Sequence, residues 1–208
     1  MLKPTRIWTE VDYEKNGKQA GWLMLPHSVT RSAYGMIAIP IAVVKNGSGP
    51  TAFLMAGNHG DEYEGQIALC KLIRAIDPAR VQGRVIVMPA SNFPAAMAGV
   101  RVSPIDGGNL NRCFPGDPDR GITQEIAHYI DSVLFPMADL FADLHSGGSS
   151  LAYLPFAHMH EGSDYAVNRR SLDALTAFGA EYSVVWKHAD ERFAPGAAVK
   201  RGIACMGG

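Results

Sequence analysis

Cysteine is scarce: Cys70, Cys113 and Cys205 are the only three in 208 residues, an odd number without metal-type spacing. That argues against a disulfide framework and points to a reducing compartment. An excess of either charge is also lacking, with 19 Lys and Arg against 20 Asp and Glu and a formal net charge of −1. No global basic field therefore recommends nucleic acid or an anionic membrane as partner. No run approaches the roughly 18 continuous apolar residues of a membrane span. The opening stretch "MLKPTRIWTEVDYEKNGK" lacks an apolar core of signal-peptide length. These absences predict a soluble cytoplasmic protein. The far end, "KRGIACMGG", stops just after a short apolar run. Natural termini usually sit in polar surface segments, so the expectation is the front part of a longer protein.

With 47% hydrophobic residues the chain can bury a substantial core. Residues 6–46 read as strands, "RIWTEV", "AGWLML" and "MIAIPIAVV", with "NGK" as a candidate hairpin turn. They are expected to form an N-terminal β element over residues 1–45, ahead of a larger α/β domain over 46–208. "TAFLMAG" and "GRVIVMPA" are apolar enough for strands buried on both faces, and "ADLFADLHSG" is a third. "EGQIALCKLIRAI" carries helical spacing up to the stop signal "DP". "ITQEIAHYIDSVLFPM" reads as an amphipathic helix with Thr123 as N-cap candidate. "LAYLPFA", a helix through "YAVNRRSLDALTAFGA", and "YSVVWK" continue the alternation. The prediction is an α/β fold with a mixed, mostly parallel central sheet and helices on both faces.

Ligands in such sheets bind beyond the carboxyl ends of the strands. Three polar clusters fall there: "GNHGDE", "SNFPAA" and "DLHSGG". His59 and Glu62 straddle a strand-to-helix transition, and His145 arrives at the end of another strand. Two imidazoles and a carboxylate suit a catalytic zinc with one position left for water, which would bring that water's pKa near 7. A plainer alternative stays open, with Glu62 complementing a helix dipole and His59 a polar loop residue. Asp143, on the same strand face as His145, is placed to orient a ligating imidazole, or else is an ordinary strand-end acceptor. "RVSPIDGGNLNRCFPG" has the composition of a functional loop. Its Arg101 and Arg112 could clamp a carboxylate or steady an oxyanion, with Asn111 as a neutral donor; a turn-rich surface loop is the alternative. The remaining histidines read as structural or exposed, "HMHEG" included.

Taken in order, "GNHGDEYEG", "NLNRCFPG" and "DLHSGG" resemble the succinylglutamate desuccinylase/aspartoacylase family, of zinc carboxypeptidase-like fold, over roughly residues 36–208. The resemblance implies zinc ligands at His59, Glu62 and His145. It implies a substrate-carboxylate grip at Asn111 and Arg112, and an oxyanion-steadying arginine at Arg101, although "VSPIDGG" is longer than the usual spacer. Within the family, the stretch from Leu25 to Gly65 and "SPIDGGNLNRCFPG" look most like the members that deacetylate N-alpha-acetyl-L-2,4-diaminobutyrate in ectoine breakdown. The implied partner is thus a small N-acyl amino acid, with a homo-oligomer allowed. The resemblance also puts a general-base glutamate beyond residue 208, since neither Glu181 nor Glu191 stands in a glycine-rich strand end; turnover by these residues alone is expected to be poor. A zinc metallocarboxypeptidase acting on peptides and an inactive truncated binding module are the competing readings.

Overall fold

The computed structural model describes residues 3–188 and 190–208. Its apolar runs assemble into one nine-stranded sheet. In chain order the strands are β1 (Trp8–Thr9), β2 (Gly17–Pro26), β3 (Met36–Asn46), β4 (Thr51–Ala56), β5 (Gly83–Met88), β6 (Leu140–Leu144), β7 (Phe156–His160), β8 (Tyr182–Trp186) and β9 (Ala204–Gly207). Across the sheet they run β1-β2-β3-β5-β4-β6-β9-β7-β8. The central β5-β4-β6-β9 pairings are parallel, whereas β1–β2, β2–β3, β3–β5 and β7–β9 are antiparallel. The mixed sheet with a parallel centre agrees with the expectation. The strands of residues 1–45 belong to that same sheet, because β3 is hydrogen-bonded along β5.

Side-chain alternation explains why both faces are covered. Phe53 and Met55 of β4, Ile86 and Met88 of β5 and Phe141 of β6 face one way. They pack with Ile126 of α3 (Ile122–Tyr129), Phe135, and Ala194, Ala197 and Ala198 of α5 (Ala194–Lys200). On the other face, Ala56 and Val87 meet Leu69 of α1 (Tyr63–Ala75). Farther along, Ala142, Met159 and Met206 meet Leu175 of α4 (Tyr165–Phe178). The chain leaves β4 through α1 to β5 on one side, then returns to place β6 on the other side of β4. That reversal is where an open α/β sheet leaves a crevice at its carboxyl edge.

Several local expectations are corrected. "RIWTEV" pairs only at Trp8–Thr9, because the Thr5 and Thr9 hydroxyls accept from the N–H groups of Ile7 and Val11, both at 3.1 Å, and bend the chain out of the ladder. "LAYLPFA" is irregular up to Pro155, and its strand begins at Phe156. The helix α2 (Phe93–Ala98) arises inside what reads as a polar cluster, with Pro94 in its first turn. The segment after α3 changes to a π-helical turn over Ile130–Leu134 and a 3₁₀ turn over Phe135–Met137.

Thr123 is not the N-cap of α3; Gly121 is. The Thr123 N–H and hydroxyl donate to Asp106 at 2.8 and 2.7 Å, so a carboxylate from a distant loop closes the helix end. Burial pushes the Asp106 pKa up, but the bonds from Thr123, Ser103 and Gly108 outweigh it and hold the carboxyl below its ordinary range. A depressed folded pKa contributes stability above the unfolded value, about 3.9, and that contribution vanishes as pH falls through the folded value. We expect Asp106→Asn to be less stable than the parent at pH 7, with the gap closing as the pH falls below about 4. Urea unfolding from pH 3 to 7 checks this; a gap independent of pH would contradict it.

Candidate active site

His59 follows β4 by three residues and His145 follows β6 by one, and these strands are parallel neighbours with Ala56 opposite Leu144. The fold thus delivers both imidazoles to one corner of the crevice. Glu62 stands at the N-cap position of α1, yet its side chain makes no capping bond. Instead Oε1 lies 2.7 Å from His59 Nδ1 and Oε2 lies 2.7 Å from His145 Nδ1. Arg101 Nη1 donates to Oε1 at 3.0 Å, and the Ser146 N–H donates to Oε2 at 3.3 Å. One ligand atom from each of His59, Glu62 and His145 lies within 4.8 Å of the others, so these three could hold a metal ion.

The far nitrogens of both rings are also engaged. His59 Nε2 is 3.2 Å from Asn109 Oδ1, and His145 Nε2 is 3.0 Å from Asp143 Oδ2. Each outer oxygen is an acceptor, which favours the tautomer protonated at Nε2 and turns both Nδ1 lone pairs toward Glu62. Two lone pairs and a carboxylate converging on one point require a cation between them, either protons or a metal, and this donor set fits a divalent ion. Burial pushes the Glu62 pKa up, but the imidazoles of His145 and His59 more than offset it and hold the carboxyl well below its usual range. Burial lowers the His145 pKa, while the carboxylates of Asp143 and Glu62 overcome it and push it up to about 10. Asp143 is wholly buried and is itself fixed by the Asn58 amide, which donates to Oδ2 at 3.1 Å.

The centre opens into a cleft of about 430 Å³, within the range of small-molecule sites. Arg101, Asn111 and Arg112 line it, as do Phe156, His158, His160 and Trp186. Asn111 Oδ1 accepts from the Ala194 N–H at 3.0 Å, and the Arg112 guanidinium sits 4.0 Å from the centre of the Phe193 ring. The functional loop is therefore stitched to the start of α5. Burial, then the facing Arg101 charge, lower the Arg112 pKa, as expected of two guanidiniums sharing a concave wall. All seven residues singled out in the sequence thus lie at the centre, along the cleft or directly behind it. His158 and His160 correct the expectation of an exposed loop: they stand on β7 and line the cleft. Asn109 was not singled out either; the alternation Asn109-Leu110-Asn111, with Leu110 wholly buried, is the signal that sets both amides on the polar side.

Gly60, between His59 and Asp61, lies where a Cβ would overlap the Ala95 carbonyl of α2. Gly60→Ala must therefore push the His59 loop off α2. We expect at least about tenfold weaker metal binding, the scale of disturbing a ligand's supporting contacts. Chelator competition reads this directly, and unchanged affinity would show the loop to be pliant.

The model of the succinylglutamate desuccinylase/aspartoacylase catalytic domain matches residues 48–205. The N-alpha-acetyl-L-2,4-diaminobutyric acid deacetylase of Halomonas elongata is 50% identical over 199 residues, covering 96% of this chain and 58% of that protein. Among solved structures, the product-bound ectoine utilization protein EutE (DoeB) of Ruegeria pomeroyi aligns with a TM-score of 0.94 at 44% identity. That match covers 99% of this chain and 63% of the other. A metallo-carboxypeptidase of Burkholderia cenocepacia aligns at a TM-score of 0.65 and 16% identity over 91% of this chain and 55% of its own, a likeness of fold alone. The chain spans less than two thirds of the length of each of these relatives. With the family's catalytic domain matching most of the chain, the chain belongs to the succinylglutamate desuccinylase/aspartoacylase family.

Proposed function

We propose that the protein acts as a zinc-dependent amidohydrolase on a small N-acyl amino acid, and that N-alpha-acetyl-L-2,4-diaminobutyrate is its substrate. The observation that carries this reading is the convergence of His59 Nδ1, His145 Nδ1 and the Glu62 carboxylate beside a cleft lined by two arginines. His59, Glu62 and His145 would hold the ion, which when bound supplies Lewis acidity toward an acyl carbonyl and a water. Glu62 would cancel one of the ion's two positive charges, with the imidazoles as neutral ligands. Asp143 and Asn109 keep the ring protons on the outer nitrogens.

Arg101 reaches the centre from the cleft side, where an acyl oxygen gaining negative charge would meet a fixed cation. Asn111 and Arg112 also line the cleft and would supply N–H groups for the substrate carboxylate; stacking on Phe193 presets the Arg112 fork, so less entropy is lost on binding. All of these residues fall within 46–208, to which we assign the chemistry, leaving residues 1–45 as a β element that widens the sheet. The 50% identity to a deacetylase of N-alpha-acetyl-L-2,4-diaminobutyric acid supports the choice of substrate.

The test is metal analysis of the purified protein together with a panel of N-acyl amino acids and a blocked dipeptide. We expect one zinc per chain and fastest hydrolysis of the acetylated diaminobutyrate. Protein without zinc, or faster cleavage of the dipeptide, would overturn the proposal, the latter in favour of a peptidase.

A further inference from the structure

Asp61 lies between Gly60 and Glu62 but takes no place at the centre or along the cleft. It is only 6% exposed, and its Oδ1 has no hydrogen-bond partner among the described residues. A carboxylate buried beside a second carboxylate is costly unless its contacts need it there. Its contacts are specific. Oδ2 accepts from the Ser149 N–H at 3.1 Å and from the Ser149 hydroxyl at 2.8 Å. Gly148 lies between, with φ of +59°, and a Cβ there would sit 2.8 Å from the same oxygen.

The adjacent Glu62 takes the Ser146 N–H from the same loop. Two neighbouring acids thus grip the segment after His145 on either side of Gly147 and Gly148. The loop bearing His59 and Glu62 is thus tied to the loop bearing His145, and the Asp61–Ser149 half of this grip lies outside the donor set.

We infer that Asp61 is a positioning residue which, through Ser149, holds the two donor-bearing loops in register and thereby sets the affinity of the centre for a divalent ion. This rests on the metal reading above. A bound ion pulls three donors to a common centre, and loops free to drift apart bind it less tightly. The amide of Asn keeps an acceptor oxygen at this position, whereas Ala removes the clamp.

The experiment is competition for zinc against a chromophoric chelator, with visible absorption of the cobalt(II) form as a second readout. The proteins are the parent, Asp61→Ala, Asp61→Asn and Ser149→Ala. We expect Asp61→Ala to bind zinc about 10- to 100-fold more weakly, with a changed cobalt(II) band. Asp61→Asn should restore both. A change confined to thermal stability, with affinity and cobalt band unaltered, would overturn the inference. If Asp61→Ala fails to fold, Ser149→Ala, which removes the shorter of the two bonds and keeps the N–H one, decides: several-fold weaker zinc binding supports the clamp, and parental affinity with a parental band refutes it. A parent protein that binds no zinc sinks the metal reading and this inference together, whereas a zinc-binding parent with indifferent variants sinks the inference alone.

Discussion

His145→Ala is expected to yield folded protein without stoichiometric zinc. The substitution removes the one donor contributed by the β6 end and leaves His59 and Glu62, three residues apart, as a pair on a single loop. Tetrahedral zinc in a catalytic site draws on three protein ligands, and two cannot retain it against dialysis. Disturbing an outer contact of such a site already costs 10- to 100-fold in affinity, so losing a ligand should cost more than about 100-fold, and hydrolysis should fall at least as far. The His145 side chain is partly exposed and lies beyond the last strand residue, so its truncation opens no core cavity. Metal content by atomic emission, with circular dichroism as the folding control, separates lost metal from lost structure. Full zinc retention would refute the ligand assignment. Zinc stripped from the parent by a chelator and then returned should restore activity to the parent and not to the variant.

The second large effect concerns the frame that carries those ligands. Phe135→Ala should destabilise the protein by about 3–5 kcal/mol. Phe135 is only 1% exposed and touches three other rings. Phe141 is edge-on at 5.0 Å, Phe114 stacked at 5.9 Å and Phe53 edge-on at 6.2 Å. Phe53 and Phe141 come from β4 and β6, the strands that carry the two histidines, so this cluster fixes the ends on which the centre rests. Removing the central ring forfeits its transfer free energy and leaves a cavity that surrounding aromatics cannot collapse into. Chemical denaturation monitored at two wavelengths provides the measurement. A loss below about 1 kcal/mol would mean that the cluster repacks freely.

The sequence discloses different parts of this arrangement to different degrees. β4, β5 and α1 are legible because burial on both sheet faces demands uninterrupted apolar runs, while α1 shows one apolar stripe bounded by a turn. His59, Glu62 and His145 are legible because unneutralised polar groups at strand ends are hard to explain by packing. The way the start of α3 is closed is not legible: Asp106 lies 17 residues from Thr123, and no local pattern at Thr123 reveals a carboxylate arriving from elsewhere. His158 and His160 alternate with two-residue period, a strand signal, but "HMHEG" is polar enough to pass for a loop. What makes it a strand is pairing to β8 and to Gly207 of β9. β9 itself is four residues long and takes its identity from β6 beside it. Asn109 and Asp61 escape notice because their contacts reach groups distant in sequence, one bond from Asn109 to His59 and two from Asp61 to Ser149.

The pairing of β4 with β6 also governs when the centre can exist. On a nascent chain, His59 and Glu62 emerge long before His145, which follows Glu62 by 83 residues. Until β6 docks, a passing ion would meet only two donors on a short loop, one fewer than a catalytic zinc draws on. On the proposed reading, selection of the ion would thereby be deferred to the finished tertiary structure, where the spacing of two neighbouring strands, rather than the order of arrival, would decide what is captured.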